Sequence, residues 1–130
     1  MVTDPIADLA ARLKNAILRR YDQVVLPFNK TAQAVAQVLV SEGYLAGLKV
    51  DKTSGRSELL LKLSYNKGVP AITQIRRISK SGVRHYVSCR KLPRVLGGMG
   101  TLVVSTPKGI VSGRVAAKEH VGGEVLCEVW

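Results

Sequence analysis

Thr101-Leu102-Val103-Val104-Ser105-Thr106-Pro107-Lys108-Gly109-Ile110-Val111-Ser112-Gly113 is a stretch in which two β-rich runs flank five residues of turn chemistry. Leu102-Val103-Val104 reads as a buried strand, and Ile110-Val111 resumes the apolar pattern after the break. Between them stand two hydroxyls, a proline with fixed φ, a cation and a glycine. The expected element is a stiff hairpin with a polar tip. It is either an ordinary solvated β-turn or a contact for a polar partner.

Working outward, the second half of the chain reads as mostly antiparallel β-structure. Ile72–Ile78 and Val83–Val87 look like two strands about a Ser79-Lys80-Ser81-Gly82 turn. Lys91–Leu96 reads as a short helical or irregular turn ended by Gly97-Gly98. Beyond the hairpin come a short helix near Arg114–Glu119, a Gly122-Gly123 turn and a last strand, Glu124–Trp130.

The first half has a different rhythm. Thr3-Asp4-Pro5 marks a helix start, and Ile6, Leu9, Leu13, Ala16 and Ile17 then recur at helical spacing toward Arg20. Val24–Pro27 is a short strand, and Asn29 can cap a second helix whose Ala32, Val35, Ala36, Leu39 and Val40 form an apolar face. Gly43 fits the position just past its end. Leu48–Val50 and Leu59–Leu63 read as strands joined by a loop containing Thr53-Ser54-Gly55. Asn66–Pro70 has linker composition. The expected fold class is α+β: an N-terminal α-β-α-β-β unit, residues 1–66, packed on a mostly antiparallel β unit with short helices, residues 67–130. The first is expected to be structural and the second to carry binding.

At 130 residues and 46% apolar content the chain can bury a real core. The N-terminus has no charged-then-apolar pattern, so nothing marks export, and no apolar run is long enough to span a membrane. Cys89 and Cys127 are isolated, which favours reduced, structural thiols. The net charge is +11, and its distribution is the stronger signal. Between Glu58 and Glu119 no acid occurs, while Lys62, Lys67, Arg76, Arg77, Lys80, Arg84, Arg90, Lys91, Arg94, Lys108, Arg114 and Lys118 all fall inside that interval. Such a stretch repels itself unless a polyanion is normally present. Nucleic acid is the leading partner and an anionic membrane the lesser one, because no segment pairs a basic face with an aromatic-rich apolar face.

Catalytic chemistry finds little footing. Ser105 and Lys108 have Ser-x-x-Lys spacing, but Pro107 and Gly109 between strands break the helical geometry that chemistry needs. Gly98-Met99-Gly100 lacks the rest of a nucleotide loop, and His85, His120 and the cysteines show no metal spacing. No enzyme, metal or cofactor is expected. Arg84-His85-Tyr86 reads better as nucleic-acid chemistry, since alternation places a phosphate-binding cation beside a ring that can stack. The other reading of Tyr86 is an ordinary core residue.

These residues also resemble a known family. Gly100-x-x-Val103-Val104-Ser105-Thr106-x-x-Gly109-Ile110-Val111, followed by Gly122-Gly123-Glu124-Val125-Leu126-Cys127-x-Val129-Trp130, is similar to bacterial small-subunit ribosomal protein eight, the S8 or uS8 family. Asp4–Asp8 and Arg12-x-x-Asn15-Ala16 resemble its opening helix, Glu42-Gly43-Tyr44 the end of its second helix, and Arg77-x-Ser79-x-x-Gly82-x-Arg84-x-Tyr86 its central hairpin. The resemblance implies a cytoplasmic ribosomal protein that binds the central domain of 16S rRNA, helps assemble the platform and sits as a monomer near small-subunit proteins S5 and S12. Some members also repress their own messenger RNA. A stand-alone RNA- or DNA-binding regulator is the alternative.

Carried over by position, the RNA-binding residues would be Ser105, Thr106, Lys108, Gly109, Arg84, Tyr86 and Glu124, with Asp4, Pro5, Arg12 and Asn15 as secondary contacts. Ser105 and Thr106 would bond riboses or base edges, and Lys108 and Arg84 would hold phosphates. Gly109 would allow close backbone approach, and Glu124 would accept a base amino group or pin a neighbouring cation. Three positions depart from the family. It usually has serine where Pro107 stands, tyrosine where Glu128 stands and proline where Ser81 stands.

Overall fold

The structure, a computed structural model, describes residues 4–53, 55–92 and 99–130. Thr3, Ser54, most of the turn expected over Lys91–Leu96, and Gly97-Gly98 lie outside the described residues. The chain separates into two compact units, Met1–Thr73 and Gln74–Trp130. Mixed helices and antiparallel sheets make it an α+β protein, as the patterning predicts.

In the first unit α1 spans Pro5–Leu18 and α2 spans Lys30–Ser41. Asp4 caps α1 by accepting from Ala7 N at 3.0 Å, with Pro5 at the position where a missing N–H costs nothing. Asn29 caps α2 through Thr31 N and Ala32 N, at 2.8 and 3.1 Å. Strands β1 (Gln23–Pro27), β2 (Leu45–Asp51) and β3 (Glu58–Leu63) form a sheet in the order β1-β3-β2, antiparallel at both joins. Leu59, Leu61 and Leu63 alternate onto its buried face. Leu9 and Leu13 of α1 and Val35 and Leu39 of α2 are likewise fully buried.

Asn66–Pro70, expected as linker, instead belongs with Tyr65 to a tight hairpin of β4 (Tyr65–Asn66) and β5 (Val69–Pro70). Its two turn residues, Lys67 and Gly68, both take positive φ, +53° and +79°. That is the mirror-image turn whose twist matches a hairpin, and turn composition alone did not separate it from a linker.

In the second unit β6 (Ile75–Arg77), β7 (Tyr86–Val87), β8 (Thr101–Thr106), β9 (Gly109–Ser112) and β10 (Gly123–Val129) form one sheet, with a 3-10 turn at Cys89–Lys91 and α3 at Gly113–Lys118. The β8–β9 hairpin is present as the opening stretch predicts. The last strand, β10, is central: β8 lies on one side, and β6 and β7 share the other.

This corrects the expected hairpin of 72–78 with 83–87. The two pieces do not pair with each other but run in succession along β10, antiparallel to it. Ile78 N and Ser79 N continue the ladder onto Leu126 O and Val125 O, and Val125 N returns to His85 O. Lys80–Arg84 is therefore an excursion from one interrupted strand, closed by the Lys80–Val83 bridge. Buried Ser79 holds its base, because its hydroxyl accepts from His85 N at 2.8 Å.

Among the described residues the three α-helices end alike. Past their caps, Arg20, Gly43 and His120 take φ of +59°, +86° and +57°. The next N–H reaches back five residues in each: Tyr21 N to Ala16 O, Tyr44 N to Leu39 O and Val121 N to Ala116 O. This is the Schellman closure, which satisfies carbonyls left over at the helix end. Glycine occupies only the middle case. Among the described residues no helix is long and apolar enough to cross a membrane.

Candidate nucleic-acid interface

The second unit's sheet brings distant candidates onto one rung. Tyr86 of β7 lies opposite Glu124 of β10, and Glu124 lies opposite Ser105 of β8. Residues directly opposite in an antiparallel ladder share a face, so ring, carboxylate and hydroxyl stand side by side across three strands. Tyr86 is 70% exposed, which excludes the core reading of that residue.

Arg84 enters the same cluster from the excursion loop. Its Nη1 donates to Glu124 Oε2 at 3.0 Å, so Glu124 pins a cation, one of the two roles open to it. Glu124's side chain is only 15% exposed while Arg84's is 56% exposed. The carboxylate thus anchors a guanidinium whose side chain stays more than half exposed. Ser79, whose composition and place resemble those of any turn serine, sets this geometry by fixing His85 between Arg84 and Tyr86.

Glycine makes the rung possible. A Cβ on Gly123 would sit 2.0 Å from Ser105 O, and one on Gly122 would sit 2.4 Å from Val87 O. The pair was expected to form a turn, but β10 begins at Gly123 and neither residue has positive φ. They are glycines because the chain threads between two backbones. Composition permits either use and does not reveal the neighbour.

At the hairpin tip the two hydroxyls part company. Thr106 is buried, and its Oγ1 donates to Gly109 O at 2.8 Å and accepts from Lys108 N at 3.1 Å. A hydroxyl expected to face RNA therefore closes the turn instead. Gly109 has φ +115° with nothing within 4 Å of its virtual Cβ, so conformation, not crowding, requires it there. Pro107 and Lys108 form the exposed tip. Lys108 Nζ lies 3.9 Å from Glu119 Oε2, a solvent-exposed pair of little strength, and stays available to an anion.

The remaining acid of the unit, Glu128, pairs across the strands with Arg76. Each of Glu119, Glu124 and Glu128 thus faces a cation from the acid-free interval. Buried Cys127, beside Glu128, has its thiol pushed up to about 12 by loss of solvent and by that carboxylate, and both cysteines are free.

The four secondary candidates lie on the opening helix of the first unit. Asp4 and Pro5 begin it. Arg12 bonds both Asp8 oxygens at 3.0–3.1 Å and donates to Val25 O at 2.9 Å, tying α1 to β1. Asn15 Oδ1 accepts from Arg19 Nε at 3.3 Å. The same unit has a cleft of about 380 Å³ lined by residues including Pro5, Asp8, Phe28 and Asn29. Among the described residues no group of three His, Cys, Asp or Glu could hold a metal ion.

Comparison with known proteins is consistent over the full length. The sequence model of the family described as ribosomal protein S8 matches residues 4–130. The small ribosomal subunit protein uS8 of Solibacter usitatus is 44% identical over 131 residues, covering 100% of both chains. Its counterpart in Xanthobacter autotrophicus is 47% identical over 130 residues, covering 99% of this chain and 98% of the relative. That of Bartonella tribocorum is 45% identical over 130 residues, again at 99% and 98%.

Proposed function

This chain belongs to the ribosomal protein S8 family, and from that premise we propose that its second unit binds the central domain of 16S rRNA through the Tyr86–Glu124–Ser105 rung. It is a structural component of the small ribosomal subunit and not an enzyme. The rung is the observation that supports the finer reading, because it sets an exposed ring, a half-buried hydroxyl and an anchored guanidinium on one rigid surface.

Each side chain has a distinct part. Regular A-form RNA hides its base edges, so a rigid sheet face reads riboses, phosphates and unpaired bases. Tyr86 stacks on an unpaired base and Ser105 bonds a ribose or base edge. Arg84 and Lys108 hold phosphates. Glu124 aims Arg84, and its second oxygen can accept a base amino group. Thr106 and Gly109 act by shaping the tip. Arg12 and Asn15 are secondary contacts in this reading, while Asp4 and Pro5 serve by starting α1. The protein enters the subunit as a monomer, helps organise the platform and neighbours S5 and S12.

The experiment compares binding to a central-domain rRNA fragment and to an unrelated duplex. Tyr86→Ala is expected to weaken the cognate fragment by roughly 1–3 kcal/mol, the scale of a lost base stack. Ser105→Ala should also act on the cognate fragment alone. Thr106→Val should lower stability as well, by about 1 kcal/mol, because it removes the bonds to Gly109 and Lys108. Equal weakening of both RNAs by Tyr86→Ala would refute the rung as the reading surface.

A further inference from the structure

Building on that ribosomal reading, we propose that the end of α1 and the β4–β5 hairpin form a docking surface for a protein segment that carries carboxylates beside apolar side chains. Among the described residues, Arg20, Lys67 and His120 hold left-handed backbone without being glycine. Glycine adopts that conformation without a side-chain clash, so a cation there runs against local preference and points to a use for the side chain.

Arg20 and Lys67 are held together. Arg20 Nη1 donates to the carbonyl of Gly68, the residue after Lys67, and Tyr65 OH donates to Tyr21 O at 2.6 Å. These bonds lock the hairpin onto the helix end, so neither charge rides on a loose loop. Arg19 adds a third exposed cation, and Asp22 is the nearest acid in sequence.

Apolar groups accompany the charge. Leu18 is 82% exposed, Tyr21 50% and Val69, next to Gly68, 64%. A phosphate backbone would satisfy the cations but leave Leu18 and Val69 in water. A protein segment with carboxylates and apolar side chains covers both kinds of group, and Arg and Tyr are enriched where protein interfaces are tightest. The aliphatic side chains therefore decide for protein over RNA.

The test uses small subunits reconstituted with this protein and treated with a carbodiimide, which joins an amine to a carboxylate in contact with it. Lys67 is expected to form an isopeptide bond to an Asp or Glu of another ribosomal protein, identified by mass spectrometry of the joined peptides. A double variant, Arg20→Gly with Lys67→Asn, relieves both left-handed positions while removing both charges. The Tyr65–Tyr21 bond still ties the hairpin to the helix end, so the variant should fold and bind rRNA like the parent, yet be lost from subunits about tenfold more readily on salt washing. Lys67 left unlinked, Lys67 or Tyr21 cross-linked to RNA by ultraviolet light, or unchanged retention of the folded double variant overturns the proposal. Failure of the ribosomal reading would register separately, as the absence of an ultraviolet cross-link between Tyr86 and rRNA in the same subunits.

Discussion

The two units carry the same number of cations and handle them differently. Met1–Thr73 has ten Lys and Arg against six Asp and Glu, whereas Gln74–Trp130 has ten against three. In the first, acids serve local structure: Asp4 caps α1, Asp8 holds Arg12, and Asp51 accepts from Thr53 N and Oγ1. Those Thr53 bonds also lower the Asp51 pKa. In the second, three acids each meet one cation and leave a net +7. Local neutralisation suits a unit built for its own core. Unbalanced charge around a polar rung suits a unit completed by a polyanion.

The largest expected effect tests where that imbalance acts. If about six cations meet phosphate, affinity for the rRNA fragment should fall by about three decades or more between roughly 50 and 200 mM salt. Lys108→Ala should lower the salt slope by about one, and Lys49→Ala in the first unit should leave it unchanged. Equal slopes for both variants would erase the distinction between the units.

Next comes the core of the first unit. Leu39 is fully buried, so Leu39→Ala should cost roughly 2–5 kcal/mol in denaturant unfolding while RNA affinity persists wherever the variant stays folded. A large affinity loss in a folded variant would move part of the binding surface into that unit. Gly123→Ala should do the reverse. Its methyl meets Ser105 O, so roughly 1–3 kcal/mol of stability and the cognate RNA affinity should fall together, read by thermal unfolding and titration. Affinity retained in spite of lost stability would show that the spacing of Ser105 and Glu124 is unimportant.

The effect that is smallest at neutral pH emerges only in alkali. Cys127 is raised from 9.0 to about 12 in the fold, so the native state keeps its proton where the unfolded chain releases it. Its contribution to stability is full below about pH 9 and declines as pH rises toward 12. Cys127→Ala should flatten the pH dependence of stability in that window and leave it unaltered near neutrality. Identical slopes for parent and variant would contradict the burial of this thiol.

Much of the fold was legible because its signals are local. Asn29 and Gly43 bound α2 as read, since capping and left-handed closure involve only a few neighbouring residues. The β8–β9 hairpin was legible for the same reason. The misreadings fall where one segment's role depends on another. The 72–78 and 83–87 runs have strand composition, but β10, whose paired residues lie 36 to 54 positions further on, decides that they continue one edge and do not face each other. In the candidate site, Arg84, Tyr86, Ser105 and Glu124 were all named from sequence, whereas Ser79's support of them was not, because a buried serine beside a turn resembles any turn serine.

By itself the sequence determined the helices, most strands, the α+β class and the acid-free basic interval, because periodicity, capping and charge are properties of consecutive residues. Tertiary structure alone decided that Tyr86, Glu124 and Ser105 share a rung, that Glu124 holds Arg84, and that Thr106 turns inward while Ser105 stays on the face. The physical reason is register. Alternation assigns a side chain to one of two faces, but which strands lie beside it, and at what offset, is set only when β10 threads between β7 and β8 through the gap that Gly122 and Gly123 leave open.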